Sequence, residues 1–278
     1  MVHRLGLLLL LPLVACGEDS GTVVRAHRGG PPGGHGGGAD SADTADTGEA
    51  TDTANDSGDP VDTGPSTLVG IDVSGWDPGI DWSKVAAAGV YFSYAKATEG
   101  TYYTNDEFSA QNSGAAKAGL LRGAYHFANP SDSDGVEQAD FFVDNGGGWQ
   151  DDGKTLPGVL DFEWNPYDGG DCYSMTPHEL GGWVRDFADE YEARVGRLPV
   201  IYTSKTYWGE CVDSEAGAEL PLWVSDWGSG PPELPTGWST WTFWQTADDG
   251  TVPGVDGAVD MNEFGDNLTA LRAFAAGG

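Results

Sequence analysis

The chain has 278 residues and a formal net charge of −31, with 44 acidic against 13 basic side chains. That balance argues against nucleic acid and anionic membrane surfaces as partners, because both are polyanions gripped through basic patches. Histidine and cysteine are too few and too scattered for a zinc centre, and no metal or cofactor is expected.

Residues 1–16 have the three-part layout of a secretory signal, with Arg4 near the start, an apolar run from Leu5 to Val14, then Ala15-Cys16. The run is shorter than the roughly 20 residues that span a bilayer. Leu13-Val14-Ala15-Cys16 resembles the lipobox of bacterial lipoproteins, which implies acylation of Cys16 and an exported protein lipid-anchored to a bacterial membrane, on its periplasmic or cell-surface face. An ordinary cleaved signal with an incidental cysteine is the plainer alternative.

Residues 17–66 are mostly Gly, Pro, Asp, Thr and Ala and contain no aromatic residue, so they cannot bury enough apolar surface to offset ordering entropy. A disordered acidic linker is expected, extended by self-repulsion and serving as a spacer behind the anchor. All 11 tryptophans lie beyond it, which puts one folded domain at 67–278. A monomer is expected.

Strand and helix patterns alternate from there. Val69 to Ser74 reads as a strand, Trp82 to Ala88 as a short helix closed by Gly89, and Val90 to Ala97 as a second strand. A helix from Asn105 to Ala118, closed by Gly119, precedes a strand at Leu120 to Phe127. Ser133 to Val143 is helical, and Val159 to Trp164 is the fourth strand. Thr176-Pro177-His178-Glu179 has capping-box spacing, after which Leu180, Trp183, Val184, Phe187 and Tyr191 line one face of a long helix. Leu198 to Thr203 is the fifth strand, followed by a weak helical stretch from Lys205 to Gly209. Pro221 to Trp227, Trp241 to Thr246 and Ala258 to Phe264 follow as strands without good helices between them. The expected fold is an α/β protein: an irregular TIM-like barrel of five strand-helix units followed by three strands.

Asp161 and Glu163 are the most informative pair. At i and i+2 on a strand they face the same side, with Cβ atoms roughly 6 to 7 Å apart. The flanking Val159, Leu160, Phe162 and Trp164 make the strand a buried one, where a carboxylate needs a partner or a job. Two close carboxylates repel, so one can hold a proton near neutral pH while the other stays ionised, as glycosidases require. Asp72 and Asp260 fall on strands that become neighbours when the barrel closes, which brings four carboxylates to one mouth. Cys172 and Cys211 are left as an even pair in an exported chain, and a disulfide closing about 40 residues is expected to contribute roughly 3 to 4 kcal/mol.

Gly70-Ile71-Asp72-Val73-Ser74, Lys96-Ala97-Thr98-Glu99-Gly100, Arg122-Gly123-Ala124-Tyr125-His126-Phe127, Asp161-Phe162-Glu163, Trp241-Thr242-Phe243-Trp244-Gln245 and Val259-Asp260 resemble, in order, the motifs of glycoside hydrolase family 25 muramidases. The resemblance implies cleavage of the β-1,4 bond between N-acetylmuramic acid and N-acetylglucosamine in peptidoglycan. Carried over, it makes Glu163 the general acid and Asp161 the carboxylate that steadies the reacting sugar. Asp72 and Asp260 become substrate-orienting acids, with Tyr125 and Trp244 as platforms for sugar faces. Gly75 and Thr246 depart from the family pattern, where histidine and tyrosine are frequent.

Two rivals remain. A chitinase-like hydrolase would show two further acids upstream, at positions that are Leu156 and Val159 here. A non-catalytic wall-binding lipoprotein would keep the cleft and lose turnover.

Overall fold

A computed structural model describes residues 67–212 and 214–278. The expected signal segment with Cys16 and the linker at 17–66 lie outside the described residues.

Among the described residues, nine strands and six α-helices follow one another as β1 (Leu68–Val73), α1 (Trp82–Ala87), β2 (Phe92–Glu99), β3 (Tyr103–Thr104), α2 (Phe108–Ala118), β4 (Leu121–Phe127), α3 (Gly135–Phe142), β5 (Val159–Asp161), α4 (Pro177–Val195), β6 (Val200–Thr203), α5 (Lys205–Tyr207), β7 (Leu222–Ser225), β8 (Phe243–Gly250), β9 (Val259–Phe264) and α6 (Leu268–Ala275). Eight of the strands close into a barrel, because β1 pairs both with β2 in parallel and with β9 antiparallel. The mixed α/β barrel expected from the sequence is therefore present, with five strand-helix units before the last three strands. The two-residue β3, which flanks β2, and the terminal helix α6 were not expected.

The last strand runs against both of its neighbours. Asp260 accordingly enters the mouth from the start of β9, while Asp72 enters it from the end of β1, and the two are directly opposite in register.

Side chains facing into the barrel are aromatic at its lower levels. Phe92, Tyr94, Trp223 and Phe243 meet with ring centroids 5.0–6.1 Å apart. Two glycines make the space: a Cβ on Gly70 would lie 2.3 Å from the Phe92 ring, and one on Gly123 would lie 2.1 Å from Tyr94. The helix α6 seals the end opposite the mouth, where Phe274 meets Phe243 and Phe264. Asn267 caps this helix by accepting from Ala270 N at 3.0 Å.

Around the barrel the long helix α4 is held as its sequence dictates. Thr176 and Glu179 form the reciprocal capping box, and Leu180, Trp183, Val184, Phe187 and Tyr191 are buried. The Cys172–Cys211 disulfide forms, with Cα atoms 5.3 Å apart, and ties the loop after β5 to the π-helical turn Trp208–Val212.

Candidate active site

Alternation along each strand decides what reaches the mouth. Past the aromatic levels the inward positions are Asp72, Lys96, Tyr125, Asp161, Tyr202 and Gln245, joined by Asp260 and Asn262 from β9. Of the residues singled out in the sequence, Asp72, Tyr125, Asp161, Glu163 and Asp260 come together. The Tyr125 hydroxyl is pushed far up by burial and by the charges of Asp72, Asp161 and Asp260.

The strand β5 ends at Asp161, two residues sooner than its apolar pattern suggests, yet the alternation persists. Phe162 N donates to Tyr202 O at 2.9 Å and its ring turns outward, stacking 5.6 Å from Trp183. Glu163 is thereby returned to the side of Asp161, and Tyr173 Oη donates to its carbonyl at 3.1 Å. Asp161 is buried and Glu163 half-buried. Burial lifts the Glu163 carboxyl to about 7, with Lys96 pulling it down and Asp72 pushing it up. Asp161 is lifted as well, by burial first and then by the charge of Glu163. The Asp161 Oδ1 atom is buried and no described residue bonds to it. An unpaired oxygen of that kind is costly unless a ligand supplies a donor.

Asp72 is held by amides. Asn262 Nδ2 donates to Oδ2 at 2.8 Å and Gln245 Nε2 at 3.1 Å, and the carboxyl also bonds to that of Asp260. The Gln245 amide has one orientation, since its Oε1 accepts from Tyr202 Oη at 2.9 Å and Trp227 Nε1 at 3.1 Å. Trp223 Nε1 fixes Asn262 in the same way, at 2.9 Å. Burial raises Asp72 above the ordinary carboxylate range, against these hydrogen bonds.

Lys96 and Glu99 received no role from the sequence. A bulge at Ala97 shifts the register so that Lys96 faces Tyr125 while Glu99 faces Phe127. Both side chains therefore point inward and pair at 2.5 Å, with the ammonium 4.7 Å from the Phe127 ring centroid. Glu99 also accepts from Tyr102 Oη at 2.7 Å and from Tyr167 Oη. Burial would raise Glu99, but Lys96 and the hydroxyls bring it below the ordinary range. A lone lysine inside an apolar strand was the available signal, since a buried cation needs a counter-charge.

Among the described residues, Trp244 is a sequence-predicted site residue that the fold turns away from the mouth. Phe243 and Gln245 occupy the inward positions of β8, so Trp244 points outward, packs on Trp241 at 5.9 Å and donates to Asp226 O at 2.6 Å. Trp227, 54 % exposed, takes its place at the rim. Gly75 lies where a Cβ would be 3.0 Å from Tyr103 Oη, so that tyrosine occupies the room a larger residue would need. Thr246 Oγ1 donates to Met261 O at 3.3 Å. His126 is fully buried between Thr98 and Gln138 and takes no part in the mouth. Among the described residues no cluster of His, Cys, Asp and Glu has the arrangement of a metal site.

The profile of "Glycosyl hydrolases family 25" matches residues 71–255. Lysozyme M1 of Streptomyces globisporus is 49 % identical over 218 residues, 78 % of this chain and 73 % of that protein. An N,O-diacetylmuramidase of Arthroderma benhamiae is 38 % identical over 220 residues, 78 % of this chain and 91 % of its own. The crystal structure of the bacterial lysozyme from Streptomyces coelicolor superposes with a TM-score of 0.74 at 47 % identity, covering 78 % of this chain and 99 % of that one.

Proposed function

The chain belongs to glycosyl hydrolases family 25 and hydrolyses peptidoglycan as a muramidase, and from that premise we propose that Glu163 is its proton donor and Asp161 the carboxylate that stabilises the reacting sugar. The bond cut is the β-1,4 link from N-acetylmuramic acid to N-acetylglucosamine. Protonated Glu163 gives its proton to the leaving oxygen as the acetamido oxygen of the muramoyl sugar attacks the anomeric carbon. Asp161 Oδ1 accepts the acetamido N–H and balances the positive charge that builds on the new ring. Glu163, now ionised, takes a proton from water as that water opens the ring, and configuration is retained. Asp72 and Asp260 orient the sugar, with Tyr125 beside it. The observation that carries the assignment is the orphaned Asp161 oxygen next to a carboxyl whose burial lifts it to about 7.

The chitinase-like alternative would need acids where Leu156 and Val159 are buried at 1 % and 0 % exposure in the core. To separate catalysis from binding, purified wild-type and Glu163→Gln protein are incubated with insoluble peptidoglycan. Reducing ends should appear with the wild type only, carrying N-acetylmuramic acid at the new terminus. Equal release by both proteins refutes the assignment of Glu163, and sedimentation of both without release favours the wall-binding reading.

For the rest of the chain we propose that residues 1–16 are a lipoprotein signal, that Cys16 carries the lipid, and that 17–66 is the spacer between the membrane and a monomeric barrel at 67–278. The lipobox resemblance and the acidic composition support this. Cys16→Ser should move the protein from the membrane to the soluble exported fraction.

A further inference from the structure

Beside the mouth, across the ends of β6 and β7, lies an open cleft of about 420 Å³ lined by Ser204, Lys205, Thr206, Ser225, Asp226 and Glu233. It is continuous with the catalytic network, since Ser225 Oγ lies 3.4 Å from Gln245 Oε1, whose amide holds Asp72. Its lining differs from that of a sugar site. Aromatic faces stand on the rim, as Trp227 does, but the cleft itself has none and instead carries a cation and two carboxylates.

The carboxylates are not equivalent. Asp226 is committed, accepting from Gly228 N at 3.1 Å and Glu233 N at 2.8 Å. Lys205 and Glu233 pair at 2.5 Å, but with 52 % and 70 % of their side chains exposed. An exposed pair of this kind is weak and exchanges readily, so Lys205 can leave Glu233 for an incoming carboxylate at little cost.

We propose that this cleft takes the stem peptide of a muramoyl residue in the bound strand, with a peptide carboxylate on Lys205 in place of Glu233. The inference rests on the muramidase reading, because that substrate is a polysaccharide whose muramoyl units bear short peptides with free carboxylates and amines. A zwitterionic branch matches a cleft of both signs. A glycan strand threaded through the mouth would deliver it there without crossing the wall formed by Tyr102, Tyr167 and Glu99 on the opposite rim.

The test compares initial rates on soluble uncross-linked strands with rates on the same strands stripped of peptides by an amidase. Wild type, Lys205→Ala and a charge-matched control, Lys117→Ala on the exposed surface of α2, are assayed on both. Lys205→Ala should lower kcat/KM about two- to fivefold on peptide-bearing strands, the size of one exposed charge contact, and leave stripped strands unaffected. Lys117→Ala should change neither. Equal effects of Lys205→Ala on the two substrates, or no effect on either, overturn the proposal while leaving the muramidase reading intact. Failure of the wild type to cut either substrate overturns both.

Discussion

Lys96 Nζ lies 2.5 Å from Glu99 Oε2, although the residues are three apart on one strand and regular alternation would send them to opposite faces. The bulge at Ala97 makes the pair possible, and the pair sets one charge against the acids of the mouth. Lys96 pulls both Asp161 and Glu163 towards their ionised forms. Replacing Lys96 with methionine should therefore move the alkaline limb of the pH–rate profile upward and lower the maximum rate. Rates measured across the pH range on soluble peptidoglycan check this, and an unmoved limb would disconnect Lys96 from the acid.

We assign the alkaline limb itself to the proposed proton donor, Glu163. Protonation is required for donation, so activity should fall as pH rises through about 7, where burial places this carboxyl. Glu163→Gln should remove on the order of 10²- to 10⁴-fold of kcat.

The same burial costs stability as pH rises. A carboxyl raised in the folded state favours folding below its unfolded value, and that contribution is lost as pH rises through the folded value. The wild type should therefore lose stability as pH rises beyond the ordinary carboxylate range, because the fold holds Asp161 and Glu163 towards their protonated forms. Asp161→Asn should raise Tm at pH 8 relative to wild type and raise it less at pH 4, while abolishing turnover. Thermal unfolding at the two pH values reads this directly.

Reducing or removing Cys172–Cys211 should cost about 4 kcal/mol by loop entropy for a separation of 39 residues. That corresponds to a Tm lower by about 10 °C for a domain of this size. Activity should fall further than unfolding alone explains, because the tethered loop carries Tyr167, which bonds Glu99 across the mouth. Activity measured well below the new Tm separates the two effects.

Two changes on β8 test the alternation. Gln245→Ala leaves the buried Asp72 short of a donor and should depress kcat/KM by about tenfold or more. Trp244→Phe, on the outward face, should leave KM unchanged. Equal losses in KM would place Trp244 in the substrate path after all.

Much of this architecture was legible from local pattern. Glycine stops, the capping box at Thr176 and the apolar runs gave the five strand-helix units, and an i, i+2 acid pair on a buried strand pointed to the mouth. What escaped depended on non-local pairing. The direction of β9 depends on which neighbours it meets, and the bulge at Ala97 exists only against β4. Helix α6 has apolar residues Leu268, Leu271 and Phe274 at helical spacing, but over two turns, and its value lies in covering the aromatic end of the barrel. Trp244 was misplaced because an aromatic next to a motif carries no direction until the strand register is known. Gln245, its neighbour, inherits the inward position.

The central claim separates a proton donor from a charge-stabilising partner, and leaving-group chemistry distinguishes them. On a dinitrophenyl glycoside of N-acetylmuramic acid, whose leaving group needs no proton, Glu163→Gln should recover most of the wild-type rate of glycosidic cleavage while Asp161→Asn stays inactive. If Glu163→Gln remains as inactive on that substrate as on peptidoglycan, or if Asp161→Asn is the variant that recovers, the two roles are wrongly assigned.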